Sequence, residues 1–166
     1  MEDKLKKCLL SVCRLLEKYS INYIIVGGTA VALNGYYRHS INIAGELTEK
    51  PDIDIWYNPT YENYFNLLKV MDDLGQDTKK FKKELRPNPL KSYFRLNFEE
   101  FSLDLLPEIK AKIKYIEASN RKETVELEDT KIHFMNYLDL VEDKKATARK
   151  KDLEDLEQLK KIKRDE

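Results

Sequence analysis

Residues 22–30 read Asn22-Tyr23-Ile24-Ile25-Val26-Gly27-Gly28-Thr29-Ala30, NYIIVGGTA. Asn22–Val26 is short, apolar and β-branched, which reads as a buried strand. Two glycines follow at once, and then a helix over Thr29–Leu33 that ends at Asn34-Gly35. A strand running through glycines into a helix brings backbone N–H groups close to one point. Glycine permits the close approach, and the helix N-terminus adds free donors and partial positive charge. Such a seat suits phosphate oxygens, with the Thr29 hydroxyl beside it. A bare Gly-Gly serves equally as a tight turn. The stretch is neither G-x-x-x-x-G-K-[ST] nor G-x-G-x-x-G.

On the N-terminal side, Leu5, Leu9, Val12, Leu15 and Leu16 recur at helical spacing over residues 3–19, with Lys and Glu on the other face. On the C-terminal side, Tyr36 to Pro51 is polar and aperiodic and reads as a loop. Asp52–Tyr57 (DIDIWY) alternates strictly and reads as a strand. Asn58-Pro59-Thr60 is a turn that starts a helix over Tyr61–Leu74, whose apolar side carries Tyr64, Leu67, Leu68 and Met71. Gly75 closes that helix. Lys79 to Pro89 is basic and connective. Lys91–Phe98 and Phe101–Leu106 read as a hairpin around Glu99-Glu100, ended by Pro107. Val125–Leu127 and Lys131–Phe134 read as short strands around Glu128-Asp129. Asn136–Ala148 and Asp152–Ile162 are helical. The fold class is therefore α/β (α+β), one mixed sheet with helices packed on it. Residues 1–135 are expected to form the main domain and 136–166 a helical extension packed on it.

The composition bounds the function. One domain fits 166 residues, and 42% apolar with 36% charged residues suits neither a disordered chain nor a membrane protein. Thirty basic residues cancel thirty acidic ones, which argues against coating nucleic acid by bulk charge. Two cysteines exclude a disulfide framework and a four-cysteine zinc site. The charged start MEDKLKK precedes no apolar signal segment, and no apolar run approaches a membrane span. A cytoplasmic setting is expected.

The chemistry sits on the strands. Alternation puts Asp52 and Asp54 on one face, roughly 6–7 Å apart along the chain, with Ile53 and Ile55 on the other. Two such carboxylates repel and raise each other's pKa unless a cation joins them. In FSLDLL, Asp104 falls on the face opposite Phe101, Leu103 and Leu105. Acids are disfavoured inside strands, so a third one here is informative. If the two strands are neighbours, the three acids meet. A phosphate seat, a carboxylate pair and a third acid are the parts that metal-assisted phosphoryl transfer needs, the third acid bridging a metal or accepting a proton.

Gly27-Gly28-Thr29, Asp52-Ile53-Asp54-Ile55 and Leu103-Asp104-Leu105, in that order, resemble the nucleotidyltransferase superfamily of the polymerase-β type. Its pattern is G-[GS], then D-x-D or D-x-E, then a later acid. The resemblance implies a nucleotidyltransferase-like mixed sheet with a short helical C-terminal tail. It implies two Mg²⁺ ions, an NTP substrate, and transfer of a nucleoside monophosphate to an acceptor hydroxyl. Asp52, Asp54 and Asp104 become the metal-binding and catalytic residues, and Gly27, Gly28 and Thr29 the nucleotide seat. Thr29 and Asp52 stand 23 positions apart, a spacing similar to the AbiEii-type toxins and to the aminoglycoside and lincosamide nucleotidyltransferases. The tail, Lys144 to Leu156, is similar to the toxins' K…A…R-x-K-D-x-x-D-[LV] segment. On that match Lys144, Arg149 and Lys151 would meet the triphosphate, Arg149 alternatively pairing with Asp152, and Asp155 is a further candidate. The toxin likeness implies tRNA, a protein or a small molecule as acceptor, and a cognate antitoxin as partner. A non-catalytic nucleotide- or partner-binding module and an antibiotic adenylyltransferase are the alternatives. Thr48-Glu49-Lys50-Pro51 replaces the Arg and Thr that family members often carry before the acid pair, which leaves Arg38 and Lys50 without a role.

Other features read as structure. Lys79-Lys80-Phe81-Lys82-Lys83 is a solvated loop before it is an RNA contact. His39 and His133 lack ligand spacing. Cys8 and Cys13 are packing or surface residues, and Trp56 packs before it stacks on a base.

Overall fold

The computed structural model describes residues 3–39 and 50–164. Helix α1 (Asp3–Lys18) leads into strand β1 (Tyr23–Val26) and helix α2 (Gly27–His39). Strand β2 (Asp52–Tyr57) is followed by α3 (Tyr61–Asp73) and the single turn α4 (Lys79–Lys82). The hairpin β3 (Phe94–Asn97) and β4 (Ser102–Leu106) precedes α5 (Tyr115–Arg121). A second hairpin, β5 (Glu123–Leu127) and β6 (Thr130–Phe134), leads to α6 (Tyr137–Thr147) and α7 (Lys150–Arg164).

The strands form one six-stranded mixed sheet in the order β3-β4-β2-β1-β6-β5. β1 lies between β2, antiparallel to it, and β6, parallel to it. β2 pairs parallel with β4, and each outer hairpin is antiparallel. The expected alternation in DIDIWY holds over Asp52–Ile55, with Ile53 and Ile55 buried and Asp52 exposed, and stops at Trp56, which is buried although it shares the acids' parity. β1, next to the middle of the sheet, is buried at all four positions.

The helices form for visible local reasons. On α1 the buried residues Leu9, Val12, Cys13 and Leu16 follow helical spacing, and each such apolar side chain contributes about 2 kcal/mol of burial. α3 starts at Thr60, whose side chain accepts from the Asn63 amide, and stops at Leu74 before Gly75, which has φ +86°. Asn63 is itself buried and ties the neighbouring loops, its amide donating to the Asn22 and Asn58 carbonyls at 2.9 Å each. α6 is capped by Asn136, which accepts from the Asp139 amide, and ends at Ala148 in the left-handed region.

Several expectations need correction. α2 begins at Gly27, two residues before the expected start, and runs through Asn34-Gly35. Asn34 is buried and donates to Ala30 and Met135 carbonyls, so its side chain supports the helix. A Cβ on Gly35 would come 2.9 Å from Ile162 Cδ1, so the missing side chain lets α7 pack close. The basic stretch from Lys79 folds as the short α4, with Phe81 edge-on to Phe94 and Lys82 paired with Asp72. β3 is shorter than expected, because Pro89–Lys91 forms a 3-10 turn. α5 falls in a stretch where the sequence pattern indicates no element. The expected loop from Tyr36 lies, over residues 40–49, outside the described residues, as do the Arg38 and His39 side chains.

Cys8 and Cys13 are both buried and unpaired with each other. Trp56 is buried, edge-on to Tyr115, and donates to the Pro107 carbonyl at 3.2 Å. Among the described residues no helix is long and apolar enough to cross a membrane.

Candidate active site

Strand pairing assembles the site. Val26, the last residue of β1, stands opposite Asp54, and on the other side of β2 Asp54 stands opposite Asp104. Asp52 stands opposite Ser102. Because residues two apart share a face, this register gathers the three acids on one side of the sheet. One carboxylate oxygen from each of Asp52, Asp54 and Asp104 lies within 4.8 Å of the other two.

Each acid has a different environment. Asp52 is exposed, and the Ser102 hydroxyl donates to its Oδ1 at 2.8 Å. Asp104 is buried, and Arg95 on β3 donates from Nη1 to Oδ1 at 3.0 Å and to Oδ2 at 2.8 Å. Asp54 lies between them, half-buried. Burial first, then the charge of Asp52 and the hydrogen bond and charge of Asp104, push its carboxyl up from 3.8 to about 7, while the Lys151 charge pulls it down.

The glycines divide the work. Gly27 makes the strand-to-helix turn with φ +68°, and a Cβ there would lie 2.4 Å from Asp54 Oδ2. Glycine is therefore required twice over, by the backbone conformation and by the carboxylate beside it. Gly28 is exposed and a Cβ on it would meet nothing within 4 Å. Thr29 is buried, and its hydroxyl donates to the Asp52 carbonyl at 3.3 Å, which ties α2 to the start of β2.

A cleft of about 560 Å³ opens over Gly27 and Asp54. Lys144, Arg149 and Asp152 line one side, and Tyr93, Pro107 and Ile109 line another. Asp152 is fully buried and receives Lys144 at 3.1 Å and Arg149 Nε at 2.7 Å. Burial alone would raise its pKa, but hydrogen bonds from Arg149, Thr147 and Lys144 hold the carboxyl well below its ordinary range. Lys144, expected at the triphosphate, lines the cleft while its ammonium is fixed between Asp152 and, at 2.8 Å, Asp155. Arg149 pairs with Asp152, one of its two expected roles, and its side chain remains 59% exposed. Lys151 is exposed and acts on Asp54. Lys50 donates to Asn97 and to the Phe98 carbonyl, so it braces the β3–β4 hairpin.

Sequence reasoning missed Arg95, Ser102 and Tyr93. Ser102 shares the parity of Asp104, and counting outward from the Glu99-Glu100 turn pairs Asn97 with Ser102 and Arg95 with Asp104. The signal was present in the hairpin arithmetic.

No protein-family model and no curated protein matches the sequence. Solved structures match the fold. The lincomycin-bound lincosamide antibiotic adenylyltransferase LnuA superposes with a TM-score of 0.56 over 98% of each chain, at 16% identity. An antigenic nucleotidyltransferase-like protein from Paracoccidioides brasiliensis superposes with a TM-score of 0.55, covering 95% of this chain and 76% of that one, at 14% identity. The fold is nucleotidyltransferase-like. The mixed sheet with its C-terminal helices matches the architecture expected from the motifs.

Proposed function

We propose that this chain is a divalent-metal-dependent nucleotidyltransferase that moves a nucleoside monophosphate from an NTP to an acceptor hydroxyl. The observation that carries the reading is the convergence of Asp52, Asp54 and Asp104 beside the Gly27 turn, on a nucleotidyltransferase-like fold. The donor set fits Mg²⁺. All three ligands are hard carboxylate oxygens, and a cation would offset both the burial and the neighbouring carboxylate charges that drive Asp54 up. Bound there, Mg²⁺ would neutralise phosphate charge and hold the reacting oxygens in line.

The chain's own residues supply the rest. Asp52 and Asp54 form the ligand pair, oriented by Ser102 and by the Gly27 turn. Gly28 and Thr29 present the N-terminal N–H groups of α2 to the triphosphate. Arg149 and Lys151 face the charge that the departing pyrophosphate gathers, and the buried Lys144 anchors Asp152, which in turn holds Arg149. The acceptor oxygen bonds to the α-phosphorus as the bond to pyrophosphate breaks, and the hydroxyl proton passes to Asp104. Residues 136–166 act as an extension of the unit formed by residues 1–135, because α6 and α7 line the same cleft.

Two acceptor classes have support. The tail Lys144–Leu156 is similar to AbiEii-type toxins, which favours tRNA or a protein as acceptor, a cytoplasmic site of action and a cognate antitoxin. The full-length likeness to LnuA favours a small hydroxyl-bearing molecule. The test is incubation with each α-labelled NTP and Mg²⁺, with total tRNA, with cell protein and with lincosamides and aminoglycosides in separate reactions. Label transfer to one class, abolished by Asp54→Ala, is the expected result. No transfer to any class, with unaltered NTP, overturns the proposal.

A further inference from the structure

Arg95 and Asp104 face each other across the β3–β4 hairpin. Directly opposed side chains on one face stand about 5 Å apart at Cβ, so the contact is dictated by register. A single nitrogen, Nη1, bonds both carboxylate oxygens, at 3.0 and 2.8 Å. Those are the lone pairs with which Asp104 would ligate a metal. The two partners differ in freedom: the Asp104 side chain is 11% exposed and the Arg95 side chain 47%. β3 is an edge strand, and Phe94 and Leu96 on either side of Arg95 carry its packing. The guanidinium can therefore swing outward without disturbing the core, and Asp104 cannot follow. The Tyr93 side chain lies beside both Arg95 and Asp104, and the Asp52 charge also acts on Arg95.

We propose that Arg95 is a resident counter-cation, a positioning residue that holds Asp104 in ligand geometry and that a divalent ion must displace to complete the site. Resting on the metal-site reading above, this assigns to one side chain the setting of the cluster's cation affinity.

Mn²⁺ titration of the full chain, read by the electron paramagnetic resonance signal of free ion, tests this without turnover. Arg95→Gln should bind Mn²⁺ at least about fivefold more tightly than the native chain, since a half-buried ion pair is removed from competition. Arg95→Lys, which keeps the charge, should fall between them, and a melting curve checks that each variant is folded. In an Asp104→Asn background, Arg95→Gln should bring no gain. If the native chain binds Mn²⁺ and folded Arg95→Gln binds no more tightly, the counter-cation role is overturned while the metal site stands. If neither the native chain nor Arg95→Gln binds the ion, the metal-site reading itself fails.

Discussion

Replacing Asp54 with asparagine should make the metal-free protein more stable while removing its proposed function. Burial and two neighbouring carboxylates raise the Asp54 pKa from 3.8 to about 7. A carboxyl raised on folding binds more protons in the native state than in the unfolded state between those values. Stability therefore falls as pH climbs from about 4 to about 7 and levels off above. Each tenfold change in acid strength is about 1.4 kcal/mol, so the full effect at pH 8 approaches about 4 kcal/mol, and relaxation around the half-buried group brings it to about 2–4 kcal/mol. Asp54→Asn keeps the shape and a donor for Asp104 and removes the charge. With chelator at pH 8, its melting temperature should exceed the native one by about 5–10 °C, given about 2–4 °C per kcal/mol for a chain of this size. At pH 4.5, where native Asp54 carries its proton, the difference should shrink to about a quarter of its pH 8 value. Excess Mg²⁺ should raise the native melting temperature at pH 8 and leave the variant where it was. Thermal unfolding followed by circular dichroism measures all three. An Asp54→Asn advantage absent at pH 8, or equal at both pH values, refutes the electrostatic account of this cluster.

Gly27→Ala should abolish Mn²⁺ binding and destabilise by more than 2 kcal/mol, because the new Cβ meets Asp54 Oδ2 and φ is positive. Gly28→Ala, with open space around it, should leave the melting temperature within a few degrees, and its effect should appear in NTP titration. Lys144→Ala should cost about 3–5 kcal/mol in denaturant unfolding, since it strips a buried Asp152 of a partner. Lys151→Ala should leave stability within about 0.5 kcal/mol and instead raise the pH at which Asp54 titrates, read by NMR of its side chain. Asn63→Ala should cost about 2–3 kcal/mol, because the buried amide carries two loop carbonyls and the Asn22 amide.

Much of this architecture was legible because the strands advertise their faces. DIDIWY and FSLDLL each set the acids opposite a pair of buried aliphatic residues, Ile53 and Ile55 or Leu103 and Leu105, so a one-residue slip of either strand is excluded. The Glu128-Asp129 turn was legible too: both residues take positive φ, as a two-residue hairpin connection demands. What stayed hidden depends on contacts far along the chain. Asn34-Gly35 looks like a stop signal until Met135 and Ile162 are brought alongside. α5 has only Ala118 fully buried, so no periodicity announces it. Lys144 looks like a solvated helix residue, and nothing local says that Asp152 and Asp155 will enclose it. At the site the acids and the glycine turn were readable, and the Arg95–Asp104 pairing could be counted from the hairpin turn, whereas the bond from Ser102 to Asp52 acquires meaning only once β4 is known to lie beside β2.

Parallel pairing of β2 with β4 closes a chain segment of about fifty residues, and neither strand can find the other through a short turn. Until that long-range match is made, Asp52 and Asp54 are two acids on an isolated ribbon. During synthesis no length of chain lacking residue 104 can complete the three-carboxylate cluster, whatever local structure it has reached. The proposed site is thus withheld from every immature form of the molecule, and its assembly reports that the topology has closed.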